Sequence, residues 1–484
     1  MGRSNSAKTN QRILTWLSTI DKNYPKPQDN IKTPTPISHR KHFLPSPSLS
    51  DQTSMDDAAI PTTPKRPRLA NLDDQDATPT VEPPTVRAPV QLRHQSRTGS
   101  SPKRYGRKRK AGGVKDDESV STTTTGTSTS GASSPSKASG IMTTLDLCPE
   151  GAEWHPIEPV SQLSSPKLRD FVRVIKRTAG GNGYMPKSFE ACIRSASEAA
   201  GAAIDFEDFG SHAFVSTAEA EQALSEQPGY LPPLEDVLNI IDRALELQAT
   251  WDHEAGWSHE VYHPLLASIL RHPKASPKPF VDFTVATTAS PHPNYIPYGV
   301  PSRKVDYFIY FDPSRSHCTT AISPFAIICE APSVVLDRLD DLRRRTGTAT
   351  PNPTTFPRLK RAPMVVCVET KKQGAGSHGA ELQLGVWHAY QWKFLLAHAS
   401  SPSALDELAF LPGILIEGHS WSFTASMRQK NGKTAIWSHL PFGRTDSAAG
   451  VYRIIAVVRF LAKWVRDTYW PWFAKYILGC DFNK

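Results

Sequence analysis

Apolar residues recur at helical spacing over Leu234–Thr250, where Leu234, Val237, Leu238, Ile241, Leu245 and Gln248 fall on one side, predicting a helix. Residues 168–176 share that period, and a further helix is expected over 254–270. Beyond residue 280 the pattern changes. Residues 280–286, 305–311, 326–330 and 364–370 are short β-branched or aromatic runs bounded by Pro, Gly or Ser, which predict strands. A helix is expected over 380–399. Strands are expected over 413–417, 420–427 and 434–439, the last two joined by a turn at Asn431-Gly432. A final helical region runs from 449 to about 476. The charged, Pro/Thr-rich stretch 336–361 reads as a surface insertion, at about 333–361. Short strands flanked by helices predict an α/β or α+β domain around a mixed sheet.

The first 140 residues break this pattern. They hold 15 of the 42 prolines and one of the 11 tryptophans, and cannot bury enough apolar surface to offset the entropy of ordering. Residues 1–144 are therefore expected to be a disordered tail, and 145–484 a single large domain. Charge divides the same way. Residues 1–140 carry 22 Lys/Arg against 12 Asp/Glu, and the rest 34 against 35. The chain's positive charge thus belongs to the tail, which would attract polyanions without choosing among them. Within it lie two basic clusters, one with Lys65, Arg66 and Arg68, the other with Lys103, Arg104, Arg107, Lys108, Arg109 and Lys110. Such runs suit an import receptor and predict a nuclear protein, or serve as arms on nucleic acid. Six cysteines without a Cys-x-x-Cys pair suggest a reducing compartment. The absence of a signal peptide or an 18-residue apolar run predicts no membrane partner.

The chemistry is concentrated where one apolar strand ends in charge. In Met364-Val365-Val366-Cys367-Val368-Glu369-Thr370-Lys371, alternation puts Glu369 and Lys371 on the same side. A carboxylate beside an ammonium suits phosphodiester hydrolysis: the acid holds a hard cation such as Mg²⁺, and the lysine orients or polarises the attacking water. One carboxylate holds magnesium poorly. Asp306, at the mouth of the apolar run Tyr307-Phe308-Ile309-Tyr310-Phe311, supplies a second. On the following helix Gln383, Trp387, Tyr390 and Phe394 form one stripe. A buried amide there needs a polar partner, either at the site or on the backbone.

Asp306, then Glu369-Thr370-Lys371, then Gln383 on a helix resembles the PD-(D/E)xK nuclease superfamily, whose fold is restriction-endonuclease-like. More narrowly, the chain is similar to a family of fungal PD-(D/E)xK nuclease-like proteins. The similarity includes Glu254-Ala255-Gly256-Trp257, Val261-Tyr262-His263-Pro264-Leu265-Leu266, Lys304-Val305-Asp306, Glu381-Leu382-Gln383-Leu384-Gly385-Val386-Trp387-His388 and Tyr469-Trp470-Pro471-Trp472-Phe473. It spans most of 230–484. The resemblance implies Asp306 and Glu369, with Thr370, as ligands of Mg²⁺ or Mn²⁺, Lys371 as the catalytic lysine, and Gln383 in support. It further implies an acid from the first core helix, here Glu254, and DNA or RNA as substrate. The chain departs from the family in the long span between Asp306 and Glu369; the alternative reading is a protein that keeps the fold and a nucleic-acid groove without turnover.

Two other motifs point elsewhere. His259-Glu260-Val261-Tyr262-His263 matches the zinc-protease pattern, with Glu260 as base, although Pro264 would disturb that helix. Gly374-Ala375-Gly376-Ser377-His378-Gly379 matches a dinucleotide fingerprint, but lacks both an apolar lead-in and an acid about 20 residues on; a flexible loop is expected instead.

Overall fold

A computed structural model describes residues 135–199, 204–271, 278–296, 302–315, 332–374 and 376–480. The basic clusters, the expected strand at 326–330 and most of the expected tail lie outside the described residues. No described helix is long and apolar enough to cross a membrane.

The strands are β1 (Ala152–Pro156), β2 (Val281–Val285), β3 (Tyr307–Phe311), β4 (Met364–Lys371), β5 (Leu411–Glu417), β6 (Ser420–Arg428) and β7 (Thr434–Arg444). They form one mixed sheet in the order β1-β7-β6-β5-β4-β3-β2, with β4–β5 and β1–β7 parallel and the other pairs antiparallel. The helices are α1 (Pro135–Leu147), α2 (Pro166–Ala179), α3 (Glu190–Glu198), α4 (Ala218–Ser225), α5 (Leu234–Thr250), α6 (Glu254–Trp257), α7 (His263–Leu270), α8 (Pro332–Arg345), α9 (His378–His398), α10 (Ala404–Leu408), α11 (Ala448–Trp464) and α12 (Trp470–Tyr476).

The parallel pair β4–β5 needs a crossover, and α9 supplies it. That helix is apolar on nearly every side, with Trp387, Tyr390 and Trp392 almost wholly buried, as befits a helix packed between the sheet and other elements. Its polar groups find partners inside: Trp392 Nε1 donates to Ser426 Oγ at 2.9 Å, and Gln391 Nε2 to the Met364 carbonyl at 3.1 Å. The β6–β7 hairpin turns at Asn431-Gly432 as expected, with Gly432 in the left-handed region at φ 92°.

Helix α11 packs on β7. A Cβ on Gly443 would come within 2.5 Å of Ile454 Cγ1 and 2.7 Å of the Gly450 carbonyl oxygen. Since backbone cannot yield cheaply, Gly443→Ala should destabilise by about 1–3 kcal/mol, seen as a melting temperature lowered by several degrees.

Three features differ from the sequence reading. Order begins earlier than residue 145, because α1 buries Ala138 and Leu145 against α9 and β1; two apolar positions seven apart give no visible period. The stretch 333–361 is not a bare surface insertion. It contains most of α8 and then buries Thr346, Thr348, Thr350, Asn352 and Thr354. Asn352 donates to the Leu359 and Ala362 carbonyls and accepts the Met364 N–H at 2.7 Å, which fixes the start of β4. Finally, the expected helix over 254–270 contains a π-helical turn, Ser258–Tyr262, directly before His263-Pro264. A second π turn, Val465–Tyr469, precedes Trp470-Pro471 in the same way. Proline has no N–H and its ring crowds the carbonyl four residues back, so widening the preceding turn lets the helix continue.

Candidate functional site

Asp306 sits just before β3, held on both sides by backbone: its N–H donates to the Val368 carbonyl at 3.1 Å, and its carbonyl accepts from Ala286 at 2.7 Å. The Tyr307↔Val368 register then brings the Asp306 side chain to the end of β4. There Thr370 donates to Asp306 Oδ2 twice, from its backbone N–H at 2.9 Å and its hydroxyl at 2.7 Å.

Glu369 and Lys371 share the other side of that strand. Lys371 Nζ donates to Glu369 Oε1 at 2.5 Å and to the Thr370 carbonyl at 2.8 Å. Glu254, in the first turn of α6, stands 3.8 Å from Lys371 Nζ. Sixty-two intervening residues therefore do not keep Asp306 from the other groups, since the antiparallel pairing of β3 with β4 closes the gap.

The electrostatics leave the site short of positive charge. Asp306, Glu369 and Glu254 face Lys371, and Lys372 also acts on Glu254, so three acids meet two ammonium groups, a formal balance of −1. Burial pushes the Glu369 carboxyl well above the usual carboxylate range, and the Asp306 charge adds to that shift while Lys371 opposes it. Glu254 is likewise raised, first by burial, with Lys371 opposing. For Lys371 burial alone would lower the pKa; Glu369 and Glu254 outweigh it and hold the amine above its ordinary value, as an ammonium. Glu369 Oε2 is buried and has no hydrogen-bond partner among the described residues.

These residues fit a divalent cation. An orphaned buried carboxylate oxygen in an over-negative cluster is the kind of group that metal binding satisfies. Among the described residues no group of three or more His, Cys, Asp or Glu is placed to hold a metal by itself. The available set is Glu369, Asp306 and the Thr370 carbonyl, which keeps one lone pair beyond its bond to Lys371. Two carboxylates with water and phosphate oxygens completing the shell is what Mg²⁺ commonly takes.

Gln383 lies beside this group rather than in it. Its Nε2 donates to the Lys304 carbonyl at 2.9 Å, and Trp387 Nε1 donates to the Arg303 carbonyl at 2.9 Å, so α9 fastens the strap that leads into Asp306. The backbone partner is the one the amide takes. Two roles escaped the sequence. The Thr370 hydroxyl clamps Asp306, which a β-branched residue within a strand does not advertise. Glu417, at the end of β5 opposite Lys371, accepts from the Gly374 and Gly376 amides at 3.1 and 3.4 Å and so shapes the glycine loop. Thr370→Val should cost about 1 kcal/mol, because Asp306 then keeps only the backbone donor; chemical denaturation of both proteins checks this.

The zinc-protease pattern does not close into a site. His259 is exposed, His263 packs on the Phe283 ring at 4.9 Å, and no third ligand joins them among the described residues.

The sequence model of the PD-(D/E)XK nuclease superfamily matches residues 200–470, a span that contains Glu254, Asp306, Glu369, Lys371 and Gln383. No curated protein and no solved structure matches the chain.

Proposed function

The chain belongs to the PD-(D/E)XK nuclease superfamily, and from that premise we propose that it hydrolyses phosphodiester bonds of DNA or RNA with Mg²⁺ or Mn²⁺ at Asp306, Glu369 and Thr370. The observation that carries this reading is the buried Glu369 Oε2, without a partner among the described residues, on a carboxyl that feels both Asp306 and Lys371. When bound there, the cation supplies Lewis acidity and charge neutralisation at the phosphate. Glu369 Oε2 and Asp306 would hold it, with the Thr370 carbonyl as a further oxygen ligand. Lys371, whose amine Glu369 and Glu254 hold above its ordinary pKa, is placed to work as a donor and a positive charge. Its Nζ orients the attacking water and stabilises the charge that develops on the phosphoryl oxygens. Glu254 holds Lys371 from the solvent side. Gln383 positions Asp306 through the Lys304 strap without touching substrate. The basic clusters around Lys65 and Lys103 fit a protein that works in the nucleus.

Purified protein with Mg²⁺ or Mn²⁺ should release product from end-labelled DNA or RNA, and Lys371→Ala should lower that rate roughly 10³-fold. Equal background release by both proteins would leave a nucleic-acid-binding module without turnover.

A further inference from the structure

A cleft lies on the β1–β7 side of the sheet. It encloses about 290 Å³ and is lined by Trp154, His155, Ile157, Glu381, Ser438 and His439, among others. Glu381 is 94% buried, in the first turn of α9. It accepts from Ser438 Oγ at 3.2 Å and pairs with His439 Nε2. Both contacts fall on Oε1, so Oε2 remains open to a donor.

The backbone is bent to make this contact. His439 stands at φ 67° in the interior of β7, the left-handed region that non-glycine residues avoid. Between Phe423↔Leu440 and Ala425↔Trp437, β7 advances three residues while β6 advances two, so Ser438 and His439 sit on a bulge. Bulges re-aim side chains, and strain of this kind persists where the surroundings enforce it. Opposite, Trp154 leans over α9 in a recess that exists because residue 385 is glycine: a Cβ there would lie 2.9 Å from the indole. The Trp154 N–H is buried without a partner among the described residues. His155 stacks on Trp437 with centroids 4.8 Å apart.

The wall therefore offers aromatic rings, an open carboxylate oxygen and an imidazole already engaged on that carboxylate's other oxygen. This suits a planar heterocycle carrying an exocyclic amine. The bulge lies level with the middle of β4: Thr424, which faces Ser438 and His439, pairs with Gly413, and Gly413 with Cys367, four residues before Lys371. Glu417, paired in register with Lys371, is among the charges that act on His439. From β4 to β7 is three strand spacings, about 14 Å.

We propose that this cleft is a base-binding subsite, which receives an unstacked nucleobase away from the scissile phosphate on the same strand and reads its exocyclic amine through Glu381 Oε2. The inference rests on nucleic acid as the substrate. Carboxylates accept from the amino group of cytosine, and thymine offers none; stacking on aromatic walls is common for single strands.

The test is fluorescence anisotropy of short labelled oligo-dC and oligo-dT with the full chain, in EDTA, at salt high enough to screen the base-blind attraction of the tail. Wild type should bind oligo-dC roughly tenfold more tightly than oligo-dT. Glu381→Gln, which keeps the shape, and His439→Asn, which tolerates the left-handed backbone, should both level that preference while melting cooperatively. No preference in wild type, or an unchanged preference in both variants, would overturn the proposal. So would tighter capture of an oligolysine peptide that is lost in Glu381→Gln, since the cleft would then take a cationic side chain. Because cleavage is not read, a protein that prefers oligo-dC but never cuts would sink the phosphodiesterase reading and leave the subsite standing.

Discussion

Lys371→Ala is expected to be about 3 kcal/mol less stable than wild type at pH 8, and to recover most of that difference at pH 5, besides losing cleavage. Removing one partner of a buried pair leaves the other uncompensated, which ordinarily costs a few kcal/mol. Here the stranded partner is Glu369, fully buried and already pushed up by burial and by Asp306. A carboxyl whose folded pKa exceeds its unfolded one holds an extra proton in the folded chain between those two values. Stability therefore falls as pH rises through that window. Without Lys371 the opposing charge is gone, so the window reaches to higher pH. Denaturant melts of both proteins across pH 5–8 check this. A difference that does not depend on pH would mean that Glu369 is not the group left bare.

Glu369→Gln should do the opposite to stability and the same to activity. It removes one of three acids around Lys371 and Lys372, changing the formal balance from −1 to 0, and replaces a buried oxygen that has no donor among the described residues. Lys371 keeps the Thr370 carbonyl at 2.8 Å and Glu254 at 3.8 Å, so it is not abandoned. The metal-free variant should gain about 1–2 kcal/mol at pH 8, a rise of a few degrees in melting temperature. Cleavage should fall to background. A site that is costly to fold and cheaper when disabled is the usual mark of stability yielded to function.

Much of this arrangement was legible in the sequence because it lies on strands. A short apolar run ending in Glu369-Thr370-Lys371 fixes which side chains share a side, and Asp306 is the acid that opens its neighbour. The period-2 rule needs no long-range knowledge. What stayed hidden was non-local or disguised. Strand β1 is five residues that include a charge and end in proline, and only its pairing with β7 makes it a strand. The Thr-rich stretch before β4 looked solvated, yet its hydroxyls satisfy local carbonyls, as when Thr346 Oγ1 donates to Thr350 O at 3.0 Å, and so it can be buried. The π turn before His263-Pro264 was foreshadowed as a disturbance by the proline, without its form. The meeting of Glu381 with His439 depends on a bulge, and nothing in a strand's alternation announces one.

Calorimetric titration of Mn²⁺ into the metal-free protein bears most directly on the shared cation. Wild type should take up one ion, and at a hundredfold excess over the dissociation constant it should gain about 2.7 kcal/mol of stability; Asp306→Asn and Glu369→Gln should show neither uptake nor gain. Equal heats and equal melting temperatures in all three proteins, with and without Mn²⁺, would contradict the account.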